Sequence, residues 1–295
     1  MGRVVDALGR VLTLKEPARR VVSLVPSETF SVYELVGIDV LVGRTTYCEE
    51  PRGRVDAVPT CGGTKNIDVD AIVALKPDLV LANQEENSKK EIERLIALGL
   101  PVHVSFPKTL TESRALLSTF AMLLGVSESV PAIAKVDAAM RALATRGAQT
   151  PLRVCVPIWM DPLMTFDGRT FASDMLRAAG AHNIFDNRAR RYPLAADLGL
   201  RAPLADDAVA DRDTRYPRIT LREVEERSPD AILLPDEPHP FSRADEEVFR
   251  NLETPASVHA NVMQVDGKDL FWYGTRVATA IPNLCAVLDR IARTP

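Results

Sequence analysis

Four cysteines and four histidines are the residues of this 295-residue chain best suited to redox, nucleophilic or metal chemistry, and their spacing decides which is open. Cys48, Cys61, Cys155 and Cys285 are widely separated and form no CxxC or CxxH pair, so no local zinc site or dithiol centre is written in the chain. A chain of this length builds its core without cross-links, and free thiols in a reducing compartment are expected. His103, His182, His239 and His259 show no HExxH-type spacing, so a protein-only metal site is not expected. There is no GxSxG, no Walker-type loop, and no Ser or Cys with an evident base partner, so no catalytic residue is assigned. Glu85-Glu86 are acid and base by type only, with nothing nearby to give them a task.

What remains is the chemistry of contact. Aromatic residues make up only 5% of the chain. Yet Tyr47, Trp159, Phe166, Tyr216, Phe241, Trp272 and Tyr273 all stand in loop segments, most of them just past short apolar runs. Rings concentrated there suit a large, flat, partly apolar ligand with a few polar edges, held by stacking rather than charge. Glu49, Glu50, Glu85, Glu86, Asp236 and Glu237 share these loops and read as solvated charges or partners for ligand amides.

One repeated phrase shows which elements position these residues. Ile72 to Leu81 (IVALKPDLVL) and Val224 to Leu234 (VEERSPDAILL) each read as the end of a helix, a Pro-Asp break, and a short buried strand. The loops that follow, from Ala82 and from Pro235, lie at carboxyl ends of strands, where ligands gather in open α/β sheets. Two similar halves with a ligand cleft between them are therefore expected.

Around these phrases the pattern fills in. Residues 3–14 read as a hairpin turning at Leu8-Gly9-Arg10. Strands are expected at 20–24, 41–45, 101–105, 153–158 and 262–265, and helices at 68–75, 91–98, 111–124, 170–179, 221–227 and 277–291. Ser27 is read as a helix N-cap whose turn presents its hydroxyl and backbone N–H groups to a ligand. Ser127–Arg146, rich in helix formers and stopped by Gly147 and Pro151, is the linking helix, giving lobes 1–125 and 151–295 around a linker at 126–150. Residues 159–166 and 266–276 read as loops, and the charged, proline-containing stretch 188–215 as a surface excursion or lid.

The formal net charge of -4 and the absence of a basic face exclude a nucleic-acid partner. No apolar run has the length of a membrane span, and the start has no signal-peptide core. A cytoplasmic monomer is thus expected, with a periplasmic or cell-surface location as the alternative if a signal has been trimmed.

The motif order VVSLVPSETFSVYELVGIDVLVGRTTYCEEP, then CGGTKNIDVDAIVALKPDLVLA, then the linking helix, resembles the substrate-binding proteins of cobalamin and iron-siderophore ABC importers. The resemblance implies an α/β fold of two Rossmann-like lobes joined by one long backbone helix, with non-catalytic ligand binding. The cobalamin branch is nearest, which implies a cobalt corrinoid as ligand. By position in that resemblance, Tyr47 and Tyr216 answer to ligand-facing aromatics and Trp272 and Tyr273 lie in a contributing terminal loop, whereas near Asn83 the first-lobe tryptophan of that branch is replaced. With Ser27, Cys48, Trp159, Phe166, Phe241 and Arg276 these make the candidate ligand set. An importer permease is the implied partner, although Lys89 stands about where a docking glutamate is expected. Two alternatives remain open. One is a siderophore or haem binder using Arg44, Arg188, Arg190, Arg191 or Arg276 against an anionic ligand. The other is a cytosolic enzyme or chaperone of corrinoid metabolism using a reactive Cys48.

Overall fold

The computed structural model describes residues 2–146, 150–210 and 212–292. Gly147, expected to stop the linking helix, and residue 211 of the 188–215 excursion lie outside the described residues. The chain forms two compact units, one of residues 1–140 with 272–278, the other of residues 141–271 with 279–295. Residues 272–278, expected in the second lobe, therefore group with the first.

The first unit begins with β1 (Gly2–Val5) and β2 (Val11–Leu14), the expected antiparallel hairpin. Asp6 closes its turn by accepting the backbone N–H groups of Leu8 (3.0 Å) and Arg10 (2.9 Å), and Gly9 supplies the left-handed φ of 74°. Next come β3 (Val21–Ser23), α1 (Pro26–Val36), β4 (Leu41–Arg44), α2 (Val69–Ala74), β5 (Leu79–Asn83), α3 (Lys89–Ala97), β6 (Val102–Ser105) and α4 (Leu110–Leu124). The four strands from β3 to β6 form a parallel sheet in the order β4-β3-β5-β6. β5 is buried at all five residues, which explains its unbroken apolar sequence. The chain leaves this unit within α5 (Pro131–Ala144), shorter than the helix expected at 127–146.

The second unit holds β7 (Leu152–Cys155), the hairpin of β8 (Trp159–Met160) and β9 (Leu163–Met164), α6 (Phe171–Ala179), β10 (Ala181–Asn183), α7 (Leu194–Asp197) and α8 (Leu221–Arg227). It continues with β11 (Ala231–Pro235), α9 (Arg243–Arg250), α10 (Pro255–Val258), β12 (Val262–Val265), α11 (Lys268–Phe271) and most of α12 (Val277–Ala292). Its parallel sheet has the order β10-β7-β11-β12, the same connectivity as the first.

The repeated Pro-Asp phrase is one device built twice. Lys76 and Ser228 end their helices at positive φ, 48° and 46°. Two residues on, the Asp78 carboxylate accepts the backbone N–H groups of Arg19 and Arg20, both at 2.8 Å, and the Asp230 carboxylate accepts that of Arg153 at 2.8 Å. Each arginine returns the contact: Arg20 donates to the carbonyls of Leu75 (2.6 Å) and Lys76 (3.2 Å), and Arg153 to those of Arg227 (2.5 Å) and Ser228 (3.5 Å). The aspartate thus locks the incoming strand while the arginine satisfies the open carbonyls at the helix end.

Three expectations change. Ser27 is not the cap of α1: Val25 holds that position and Pro26, with no N–H to lose, takes the first turn, leaving the Ser27 side chain buried inside the helix. Residues 159–164 are a short hairpin rather than a loop, paired Trp159↔Met164 and Met160↔Leu163. The 188–215 stretch, expected as a surface excursion or lid, is anchored through Arg188 and Asp197. Arg188 is buried and donates to Asp197 Oδ1 (2.9 Å), Glu223 Oε1 (2.9 Å) and the carbonyls of Ala189, Asp197 and Arg218. Asp197, also buried, accepts the backbone N–H groups of Arg191 (2.9 Å) and Arg218 (2.7 Å), so both ends of the excursion are tied to one carboxylate.

Two stability predictions follow from these contacts. Asp78→Ala and Asp230→Ala should each lower the unfolding free energy by about 1–3 kcal/mol, read by urea denaturation. Asp197→Ala, which strands a buried guanidinium, should cost about 3–5 kcal/mol. A loss near zero for Asp197→Ala would mean the excursion is not anchored there.

Candidate functional site

In a sheet of this order the loops diverge on either side of the first strand, and in each unit that point lies at the carboxyl ends of the central pair, β3 with β5 and β7 with β11. The expected site residues group around these two points, each within its own unit.

In the first unit, Tyr47 follows β4 and is 63% exposed, the most open of the candidate rings. Its edge rests on Gly63, where an added Cβ would come 3.2 Å from the ring. Gly62 receives a hydrogen bond from Thr46 N (2.9 Å) at a φ of 81°, and an added Cβ there would lie 2.4 Å from Asn66 O. Only glycine fits, which explains the paired glycines. Arg44 is not a cation for ligands: it donates to the carbonyls of Val55, Val58, Thr45 and Cys48 at 2.9–3.3 Å, holding the Tyr47 loop in place. Cys48 is fully buried beneath it, 3.1 Å from Thr45 Oγ1, and burial pushes its thiol up. A reactive Cys48 thiolate requires the reverse. The Cys48 reading is corrected on that ground.

Behind Tyr47, the β5 loop is knitted by its own side chains. Asn83 Oδ1 accepts the N–H groups of Glu85 (2.7 Å) and Glu86 (3.1 Å), and Asn87 donates to Leu24 O (3.1 Å) and Thr64 O (3.0 Å). Asn83 Nδ2 reaches Ser105 Oγ (3.1 Å) and the Tyr273 hydroxyl (2.9 Å). Tyr273 in turn donates to Glu28 Oε1 at 2.8 Å, and Ser105 Oγ donates to the same oxygen. All four side chains are buried, and Glu28 Oε2 has no hydrogen-bond partner among the described residues. Burial pushes the Glu28 carboxyl up to about 8, despite the opposing hydrogen bonds from Ser105 and Tyr273. The segment carrying Tyr273 is fastened further by Gly274 N to Ser113 Oγ (2.8 Å) and Thr275 N to Ser31 Oγ (3.1 Å). Gly274 has φ 79°, and a Cβ there would meet Ser31 Oγ at 2.2 Å. Trp272 is buried beside Phe30, ring centroids 6.2 Å apart, and Arg276 is half-buried in the turn that leads into α12.

In the second unit, Trp159 opens the β8–β9 hairpin, 44% exposed, its indole N–H donating to Asp161 O at 3.1 Å. Its ring lies 5.2 Å from His239, which stands 4.8 Å from Phe241, itself 6.1 Å from Phe249. His239 was absent from the expected set; its place in the β11 loop was the available signal. Tyr216 is half-buried on an extended strip whose backbone pairs with residues 163–167, through Thr165 N to Pro217 O (3.1 Å) and Ile219 N to Leu163 O (2.9 Å). Phe166 and Phe241 are buried, Phe166 against Phe271 at 6.0 Å. The structure therefore brings Tyr47, Trp159 and Tyr216 to the surface, and sets Ser27, Cys48, Asn83, Phe166, Phe241, Trp272 and Tyr273 beneath it. Among the described residues no cluster of His, Cys, Asp and Glu could hold a metal ion, and no helix is long and apolar enough to cross a membrane.

Glu28 gives the folded protein a measurable pH dependence. A carboxyl that keeps its proton in the folded state up to about 8, while the unfolded chain releases it near 4.5, costs about 1.4 kcal/mol of stability per pH unit across that window. His103, buried on Phe120 and pushed down to about 4 by that burial, acts with the opposite sign between 4 and 6.5. The two oppose each other below pH 6.5; above it the His103 contribution no longer changes, and Glu86, also pushed up by burial, acts with the sign of Glu28. Stability measured by urea denaturation should fall from pH 6.5 to 8 in the native sequence and fall less steeply in Glu28→Gln. Parallel curves for the two proteins would show that Glu28 is ionised throughout.

Comparison with known proteins places this arrangement. The sequence profile of the family described as "Periplasmic binding protein" matches residues 21–251. The "Vitamin B12-binding protein" of Yersinia pestis (strain Pestoides F) is 31% identical over 188 residues, 62% of this chain and 66% of that protein; the match to Yersinia pseudotuberculosis serotype O:1b has the same extent. The chain thus matches slightly less than two thirds of the length of these relatives. Among solved structures, the apo periplasmic heme-binding protein RhuT from Roseiflexus sp. RS-1 aligns with a TM-score of 0.73 at 19% identity, covering 94% of this chain and 100% of that one. The periplasmic vitamin B12-binding protein BtuF of Vibrio cholerae aligns with a TM-score of 0.70 at 21% identity, covering 94% and 99%. The chain belongs to the periplasmic binding protein family.

Proposed function

We propose that this protein binds a cobalt corrinoid, cobalamin or a close relative, through its strand-end loops, and passes it to the permease of an ABC importer on the outer side of the cytoplasmic membrane. The observation that carries this reading is a pair of open rings past carboxyl ends of strands in two sheets of one topology, Tyr47 after the outer strand β4 and Trp159 after the inner strand β7. Open aromatic rings fixed by packed neighbours offer flat apolar contact at little entropic cost, as a macrocycle's face requires. Tyr216 adds a half-buried third ring. The buried polar side chains beneath act as support, and Arg276 supplies a polar edge. The 31% identity to vitamin B12-binding proteins supports the corrinoid.

A second reading is haem or another metal tetrapyrrole, favoured by the likeness of fold to the heme-binding RhuT. Both ligands are flat and largely apolar, so the rings alone accept either.

Isothermal titration with cyanocobalamin, haem and a ferric siderophore separates these readings. One-to-one binding of cyanocobalamin is expected, with Tyr47→Ala and Trp159→Ala each weakening it about tenfold, roughly 1.4 kcal/mol. Binding of haem alone moves the assignment to the second reading, and silence with all three overturns both.

A further inference from the structure

Arg188 and Asp197 anchor the excursion between β10 and α8, but two arginines beside them are left without such partners. Arg190 Nε and Arg218 Nε and Nη1 are shielded from solvent and have no hydrogen-bond partner among the described residues. Asp197, the carboxylate whose charge acts on Arg218, is already committed. Asp197 Oδ1 accepts from Arg188 Nη1 (2.9 Å) and Arg191 N (2.9 Å), and Oδ2 from the backbone N–H of Arg218 (2.7 Å). Tyr192, whose ring lies 4.5 Å from the Arg190 guanidinium and 4.9 Å from that of Arg212, gives its hydroxyl proton to Asp213 O (2.8 Å).

The two cations are also neighbours. Burial, and next the charge of Arg190, lower the proton affinity of Arg218, while Asp197 and Tyr192 offset this only in part. Like charges drawn together, with three hidden N–H donors unmet, are costly unless something compensates them. The compensating chemistry is specific: guanidinium groups recognise planar or tetrahedral oxyanions through paired, charge-assisted hydrogen bonds. The backbone holds both residues in place, Arg190 N on Thr214 O (2.7 Å) and Arg218 paired across to Met164. Arg218 lies two residues from Tyr216 on one extended strip, so both side chains leave the same face.

We propose that Arg190 and Arg218 form an oxyanion-binding site, for a carboxylate or phosphate group, beside Tyr216 in the second unit. The oxyanion is either a free anion or an arm of the bound macrocycle, and the two sources are separable. Thermal unfolding in inorganic phosphate, against chloride at matched ionic strength, tests the site itself. Phosphate should raise the midpoint beyond chloride in the native sequence. Arg190→Gln and Arg218→Gln should abolish the difference, Arg218→Lys should keep part of it, and Arg201→Gln, at an exposed arginine, should leave it intact. Titration with haem and with its dimethyl ester then reports the source. A preference for haem of tenfold or more, erased by Arg218→Gln, assigns the oxyanion to the ligand's arm; equal binding of the two, with phosphate stabilisation retained, assigns it to a free anion. Phosphate stabilisation without binding of any tetrapyrrole or corrinoid upholds this site while removing the function proposed above. Indistinguishable effects of phosphate and chloride, or equal losses in Arg201→Gln, overturn it.

Discussion

The aspartate that follows each Pro break is the contact on which both units depend. Asp78 and Asp230 each hold the backbone of the neighbouring first strand, and the arginine of that strand holds the end of the preceding helix. A parallel strand pair has no turn to set its register, because a whole helix separates its members. Here the register is set by a carboxylate on backbone N–H groups at the amino end of the pair. The opposite, carboxyl end is thereby free to vary its loops, and that is where the exposed rings stand. The same solution in both halves, down to the positive-φ residue two positions before each aspartate, gives two sheets of one order.

Much of this was legible in the sequence, because the signals were local and repeated. The apolar runs of β5 and β11, the Pro-Asp breaks, and the helix stop at Gly180 each follow from the chemistry of a few adjacent residues. What the sequence hid was what depends on distant partners. β10 is three residues long, with His182 exposed in its middle, and is a strand only because β7 lies beside it. α9 has a full capping box at Ser242 and Asp245, yet its mostly charged sequence gave no apolar period to read. Ser27 was misread because Pro26 also starts helices, one position earlier.

The site shows the same division. Position after a strand did not say which rings open outward. Phe166, Phe241 and Trp272 are consumed by Phe271, by His239 and Phe249, and by Phe30. Nor could charge alone tell a ligand-facing arginine from a structural one. Arg44 and Arg188 are occupied by backbone carbonyls and buried carboxylates, a fate visible only when the folded chain brings those acceptors together.

The packed rings and the open ones belong to one design. An exposed aromatic contributes to affinity only if it does not have to be ordered at the moment of binding. Trp159 is held by His239, which is held by Phe241, which reaches Phe249 in the core, so the exposed ring ends a chain of contacts beginning in the hydrophobic interior. Tyr47 reaches the same condition differently, lying on Gly63 while its own loop is pinned by the Arg44 guanidinium. The first unit adds a polar brace, since Tyr273 reaches back across 245 residues of sequence to Glu28. Closing so long a loop is entropically costly, and a buried, hydrogen-bonded carboxyl with a left-handed glycine beside it leaves that segment a single seat. Each unit thus fixes its exposed ring against packed neighbours.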